Sequence, residues 1–146
     1  MVSLRPFCHS DWQVITKYQY PDISQTEAVQ LIDQFNTPIY EGKFHKFLAI
    51  EQEGQIAGYV SLIEQSEGVV SIGVEVYEPF RRQGCAYDGI SQLFILAKSY
   101  GYPTATGQVR KDNTASLGLC NKLGFTIVGE AVSSRGKPVY NLIKSI

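Results

Sequence analysis

Apolar side chains along this chain keep changing their period, and each change marks a boundary between elements. Ala28, Leu31, Ile32 and Phe35 recur at helical spacing within Ser24–Asn36. Pro38 and Gly42 close that region. The pattern then shortens to strands. Lys46–Gln52 and Gln55–Gln65 flank Glu53-Gly54, a dipeptide that predicts a hairpin turn. Val69–Tyr77 follows Glu67-Gly68, so three strands make a meander. Helical spacing returns at Ala86, Ile90, Leu93, Phe94 and Ala97, stops near Gly101 and is blocked by Pro103. Thr104–Lys111 reads as a further strand. Asn113 then offers a cap to a helix through Leu117, Cys120 and Leu123 that ends at Gly124. Phe125–Val132 and Pro138–Ile146 close the chain as a hairpin turning at Ser133–Lys137. At the start, Ser3–Phe7 reads as a short strand. Ser10 and Asp11 offer cap oxygens to a helix through Trp12, Ile15 and Thr16, and Pro21 breaks it.

The order is strand, two helices, three strands, helix, strand, helix, two strands. It predicts an α+β fold, a mixed and mostly antiparallel sheet of about seven strands with about four helices. Hairpins dominate, which excludes a doubly wound parallel sheet.

Composition narrows the class. A chain of 146 residues fits one domain, residues 1–146, with room for a core. Its 13 basic and 14 acidic side chains leave a net charge of -1, so neither a nucleic acid nor a membrane surface is an expected partner. No apolar run has membrane-spanning length, and the N-terminus lacks the apolar segment of a signal peptide. Cys8, Cys85 and Cys120 are few, odd in number and far apart, which predicts reduced thiols and a cytoplasmic location. His9 and His45 have no partner at ligand spacing, so no metal is expected.

One turn changes the picture. Arg81-Arg82-Gln83-Gly84-Cys85-Ala86 stands between the third meander strand and a helix. Main-chain N–H groups at a helix start lack internal partners and carry the positive end of the helix dipole. Gly84 permits close approach, Ala86 leaves the first turn uncluttered, and the arginines add charge. Such a turn suits a pyrophosphate, though a solvated loop would look the same. It is neither a P-loop nor a dinucleotide fingerprint, since both spacings are missing.

With its flanks, the turn resembles the cofactor motif of the GNAT superfamily of acetyl-CoA-dependent N-acetyltransferases, Gln/Arg-x-x-Gly-x-Gly/Ala. Arg81, Gly84 and Ala86 fill its fixed positions. Ser71–Phe80 resembles the preceding strand of that family, and Asp112–Phe125 resembles its second signature, Asn-x-x-Ala/Ser ending in Gly-Phe. Leu4–Trp12 is similar to the family's first strand and helix. The resemblance implies a placement for acetyl-CoA. Main-chain groups of Val74, Glu75 and Val76 would pair with the pantetheine arm. Arg82, Gln83, Gly84, Cys85, Ala86 and Tyr87 would wrap the pyrophosphate beside Arg81, and Asn113 would bond the pantetheine from the other side. The family splays its central strands there.

The catalytic positions depart from the family. Its usual acidic Tyr, seven residues after Asn113, is Cys120. Carboxylates found in some members align with Gln108 and Ser71. Glu75 is the remaining carboxylate beside the expected thioester: a base, or a strand residue turned to solvent. Cys120 is either a proton donor to the leaving thiolate or helix packing. Tyr18, Tyr20, Tyr40 and Tyr77 either shape an acceptor pocket or pack. The resemblance places the acceptor between Tyr18–Ser24 and Ser133–Tyr140. The expected activity is acetyl transfer to a small-molecule or protein amine by direct attack. The alternatives are a non-catalytic acyl-CoA-binding domain and a structural interaction module. A homodimer through edge strands is compatible with the pattern.

Overall fold

The computed structural model describes residues 2–146. The described residues form eight strands and four α-helices, in the order β1 (Ser3–Arg5), α1 (Trp12–Tyr18), α2 (Gln25–Phe35), β2 (Ile39–Tyr40), β3 (Lys43–Gln52), β4 (Gln55–Ser66), β5 (Val69–Val76), α3 (Cys85–Ser99), β6 (Thr104–Arg110), α4 (Thr114–Lys122), β7 (Thr126–Val132) and β8 (Pro138–Ser145). Single 3₁₀ turns precede α1 and follow β5. The sheet runs β1-β3-β4-β5-β6-β8-β7, with β2 attached to β3. Every pairing is antiparallel except β5 with β6.

Each face of the sheet carries its own core. On one side α3 presents Cys85, Ile90, Leu93 and Ala97 to Ile50, Val60, Leu62 and Val70. Gly89 lets that helix lie close, since a Cβ there would stand 3.1 Å from Ile50 Cδ1. On the other side α1 and α2 bury Ile15, Ala28 and Ile32 against Ala49, Ile56 and Tyr77. Strand alternation sends neighbours such as Ala49 and Ile50 to opposite cores.

The turns follow the chemistry of their residues. Glu53 and Gly54 both adopt positive φ, 50° and 78°, which closes a two-residue hairpin between Gln52 and Gln55. Asn113 caps α4 through Ser116 N–H, which donates to its Oδ1 at 3.1 Å.

Three details differ from the sequence reading. Neither Ser10 nor Asp11 caps α1 with its side chain. Asp11 instead accepts from Cys8 N–H at 2.7 Å and Arg5 Nη1 at 2.9 Å, because a nearby guanidinium outcompetes a helix end for a carboxylate. Strand β3 starts at Lys43, three residues before Lys46. It does so because Glu41 and Gly42 turn the chain back and add the two-residue β2.

Candidate active site

Strands β5 and β6 pair only over Val69–Ser71 and Thr104–Thr106. Beyond Ser71 they separate, while β5 stays paired with β4 as far as Val76. One edge of β5 is therefore open from mid-strand. Its polar groups can be assigned. Tyr77 N–H donates to Ala57 carbonyl on β4 at 2.8 Å. Main-chain groups alternate sides along a strand, so those of Val74 and Val76 point into the gap. The Val76 carbonyl is taken by Arg81, whose Nε donates to it at 2.9 Å. The Val76 N–H and both groups of Val74 have no β6 partner.

The turn after β5 is built for concavity. Arg82 holds φ at 64° and Gly84 at 80°, both left-handed. For Arg82 that conformation costs about 1–2 kcal/mol relative to an ordinary turn. Gly84 is the N-cap of α3 and Asp88 N–H reaches its carbonyl, so the N–H groups of Cys85, Ala86 and Tyr87 lack helical partners. The Cys85 side chain turns inward, its Sγ donating to Gln52 Oε1 at 3.4 Å, and burial pushes the thiol up. Its contribution to the turn is main chain.

These elements enclose a cavity of about 710 Å³ between β5, the start of α3 and α4. Of the residues expected around a cofactor, Val74, Glu75, Val76, Arg81, Arg82, Gly84, Cys85, Ala86, Tyr87 and Asn113 line it. Gln83 does not: it is exposed, and its Nε2 donates to Pro79 carbonyl. Sequence reasoning missed one wall. Ala115, Ser116, Leu119 and Lys122 line the cavity from a single face of α4. Their helical spacing behind the Asn113 cap was the available signal. Lys122 Nζ stands 4.4 Å from the Tyr87 ring centroid, a cation of α4 held against a ring of α3 in the cavity wall. Arg81, Arg82 and Lys122 make the lining basic, with Glu75 its one carboxylate.

Glu75 lines the cavity, but its side chain belongs to the opposite face. It pairs in register with Tyr59 on β4 and shares that face with Tyr77. Burial foremost, and then the Glu75 carboxylate, pushes the Tyr59 phenol up to about 12. The same causes raise Tyr77 further. Tyr77 donates to Gln19 Oε1 at 2.9 Å and stacks on Tyr18 with centroids 4.5 Å apart. Tyr59 from β4 and Tyr77 just after β5 thus stand beside the carboxylate, with Tyr18 of α1 stacked on Tyr77 and Tyr20 close to Tyr59. Tyr40 is elsewhere, stacked on His45. Cys120 lies on α4, half-buried, outside the cavity lining, and desolvation raises its thiol.

An open strand edge, a helix start with unpartnered N–H groups and a basic cavity therefore meet in one place. Residues 3–126 match the acetyltransferase (GNAT) domain model, and the chain belongs to that family. No curated protein matches it in sequence. Among solved structures it is similar to the ribosomal L7/L12 alpha-N-protein acetyltransferase RimL in complex with coenzyme A, with TM-score 0.84, 20% identity, and 99% of this chain and 94% of that one covered. It is also similar to a spermidine N-acetyltransferase SpeG chimera from Vibrio cholerae and hSSAT (TM-score 0.80, 16% identity, 98% and 95% covered). A third is the microcin C7 self-immunity acetyltransferase MccE with acetyl-CoA and AMP (TM-score 0.79, 19% identity, 99% and 92% covered). At these identities the likeness is one of fold.

Proposed function

We propose that this chain, acting as a single domain, transfers an acetyl group from acetyl-CoA to an amine by direct attack in a ternary complex. The observation that carries the reading is the open edge of β5 running into the unpartnered N–H groups of Cys85, Ala86 and Tyr87. The pantetheine amides fit the edge as an added strand would. The pyrophosphate fits the helix start between Arg82 and Lys122. The neighbours whose structures hold coenzyme A or acetyl-CoA support this fit.

The chemistry needs few groups. The amine nitrogen attacks the thioester carbonyl carbon, a C–N bond forms and the C–S bond breaks. The amine's proton goes to a base, and the departing thiolate takes up a proton. Val76 N–H points into the gap and is placed to donate to the developing oxyanion. Glu75, reached from the opposite face, is the base in this reading. Cys120 sits outside the cavity, so its role here is packing or a remote proton source. The free cysteines support a reducing, cytoplasmic setting.

The test combines a CoA titration with a thiol-release screen across amines. CoA should bind the wild type. It should bind Gly84→Glu far more weakly, because a carboxylate would stand where the phosphate approaches. Equal affinities in two folded proteins would sink the cofactor placement. CoA binding without thiol release for any amine would favour the non-catalytic alternative.

A further inference from the structure

Resting on the acyl-transfer reading, we infer that the acceptor is the N-terminal α-amine of a peptide or protein, laid along the uncovered face of β5, β6 and β8. The helices α1 and α2 cover only part of the sheet face that carries Glu75. Their apolar cluster ends at Tyr59 and Tyr77. The ladder register identifies what lies beyond. Ser61 pairs with Gly73, Ser71 with Thr106, and Gln108 with Asn141, all on the face of Glu75. Ile63 pairs with Ser71 and Ile143 with Thr106, so between Glu75 and Arg110 the floor is made of hydroxyls, amides and two exposed isoleucines. Gly73 keeps it flat beside Glu75, since a Cβ there would meet Ser61 Oγ at 2.6 Å.

Charge sorts the amines that fit. A first ammonium is met by Glu75 beside Tyr59 and Tyr77, with Tyr18 stacked on Tyr77, a carboxylate with aromatic neighbours. A polyamine would place its next ammonium over Ser61, Gln108 and Asn141, where the nearby carboxylate, Asp112, is already taken by Arg110. A free amino acid would bring a carboxylate to the same place. The cation of that floor is Arg110, held by Asp112 at 3.0 and 2.6 Å. Lys17 lies over Tyr18, on α1 and off the sheet. A peptide presents a neutral amide immediately after its amine. Gln108 Nε2 donates to Asn141 Oδ1 at 3.1 Å. The pair keeps the Gln108 carbonyl and the Asn141 amide N–H groups for a ligand. One carboxylate followed by paired amides is complementary to an α-ammonium followed by peptide groups.

The experiment offers the protein acetyl-CoA and one of several probes: a short peptide with free N-terminal alanine, the same peptide with a blocked N-terminus and an internal lysine, spermidine, or free alanine. Thiol release and product mass are read. The free-N-terminus peptide should exceed the other probes in kcat/KM by at least about tenfold. Combining Gln108→Leu with Asn141→Leu should raise its KM by about tenfold, more than kcat falls, with CoA affinity retained. Gln108→Glu places a carboxylate on the floor and should move the preference toward spermidine. Better use of spermidine, free alanine or the lysine peptide by the wild type overturns the peptide assignment and leaves acetyl transfer standing. So does an unchanged peptide KM together with an unmoved preference in Gln108→Glu. CoA binding with no transfer to any probe overturns this assignment and the transferase reading together.

Discussion

Arg81 ties the turn to the strand it follows: its Nε donates to the Val76 carbonyl at 2.9 Å. The motif arginine thereby closes one main-chain acceptor on the open edge and leaves the Val76 N–H facing the gap. Its function in the turn is geometric as well as electrostatic. Arg81→Ala should weaken CoA binding by about tenfold, equivalent to about 1.4 kcal/mol. Arg81→Lys keeps the charge but not the fork and should recover only part of that loss. Calorimetric titration of both variants checks it. Full recovery by lysine would make the residue a point charge.

Much of this site was legible along the chain, and what was not has a common cause. Glu53-Gly54, the Asn113 cap and the Ile90, Leu93 and Ala97 stripe of α3 are local signals and formed as read, whereas Ala86 lines the cavity and Cys85 and Gly89 are buried at the helix start. Glu41-Gly42 carries the same turn signal, but a two-residue strand has no period to reveal it. Asp11 looked like a cap because Arg5 is near it only once β1 has paired with β3. The face on which Glu75 stands depends on register with Tyr59, and Lys122 reaches the cavity only when α4 docks. Local chemistry reads from sequence. Which side a strand residue takes is decided by partners far along the chain.

Gly58 is a contact glycine. A Cβ there would stand 2.0 Å from the Glu75 carbonyl, where β4 and β5 press together beside the gap. Gly58→Ala must push the strands apart and should cost about 2–3 kcal/mol. Gly118 is the control, in the interior of α4, where an added Cβ would have nothing within 4 Å. Gly118→Ala should stabilise by about 0.5–1 kcal/mol through helix propensity. Thermal melts of the two variants should therefore move in opposite directions.

Burial, and then the Glu75 carboxylate, pushes the Tyr59 phenol up from its ordinary value of 10.0 to about 12 in the folded protein. Below that ordinary value both folded and unfolded chains hold the proton, and the contribution is fully present. As pH rises from 10.0 to about 12 the unfolded chain releases it first, so stability falls across that window. Denaturant midpoints through the alkaline range should drop less steeply for Tyr59→Phe than for the wild type. An identical slope would remove Tyr59 from the alkaline transition.

Glu75 should matter more to turnover than to CoA affinity, because its main chain faces β4 and its side chain stands on the face of Tyr59, the side proposed for the acceptor. Glu75→Gln keeps the shape and removes the proposed base. A fall in kcat/KM for the amine of about 10²- to 10⁴-fold is expected, with CoA affinity held. Full activity at every pH would pass the proton transfer to water.

Cys120 stands where the family's phenol would be, yet it lies half-buried on α4 and does not line the cavity. Desolvation raises its thiol above the ordinary value of 9.0, so near neutral pH it is protonated. A protonated thiol is a poor nucleophile, and neither histidine is near it in sequence to take its proton. No acetyl group should reside on it. Cys120→Ala should retain measurable transfer, with a modest loss at most. Intact mass after incubation with acetyl-CoA and no acceptor, followed by peptide mapping, decides the matter. A stoichiometric acetyl adduct on Cys120 that discharges when amine is added would replace direct attack with a ping-pong route.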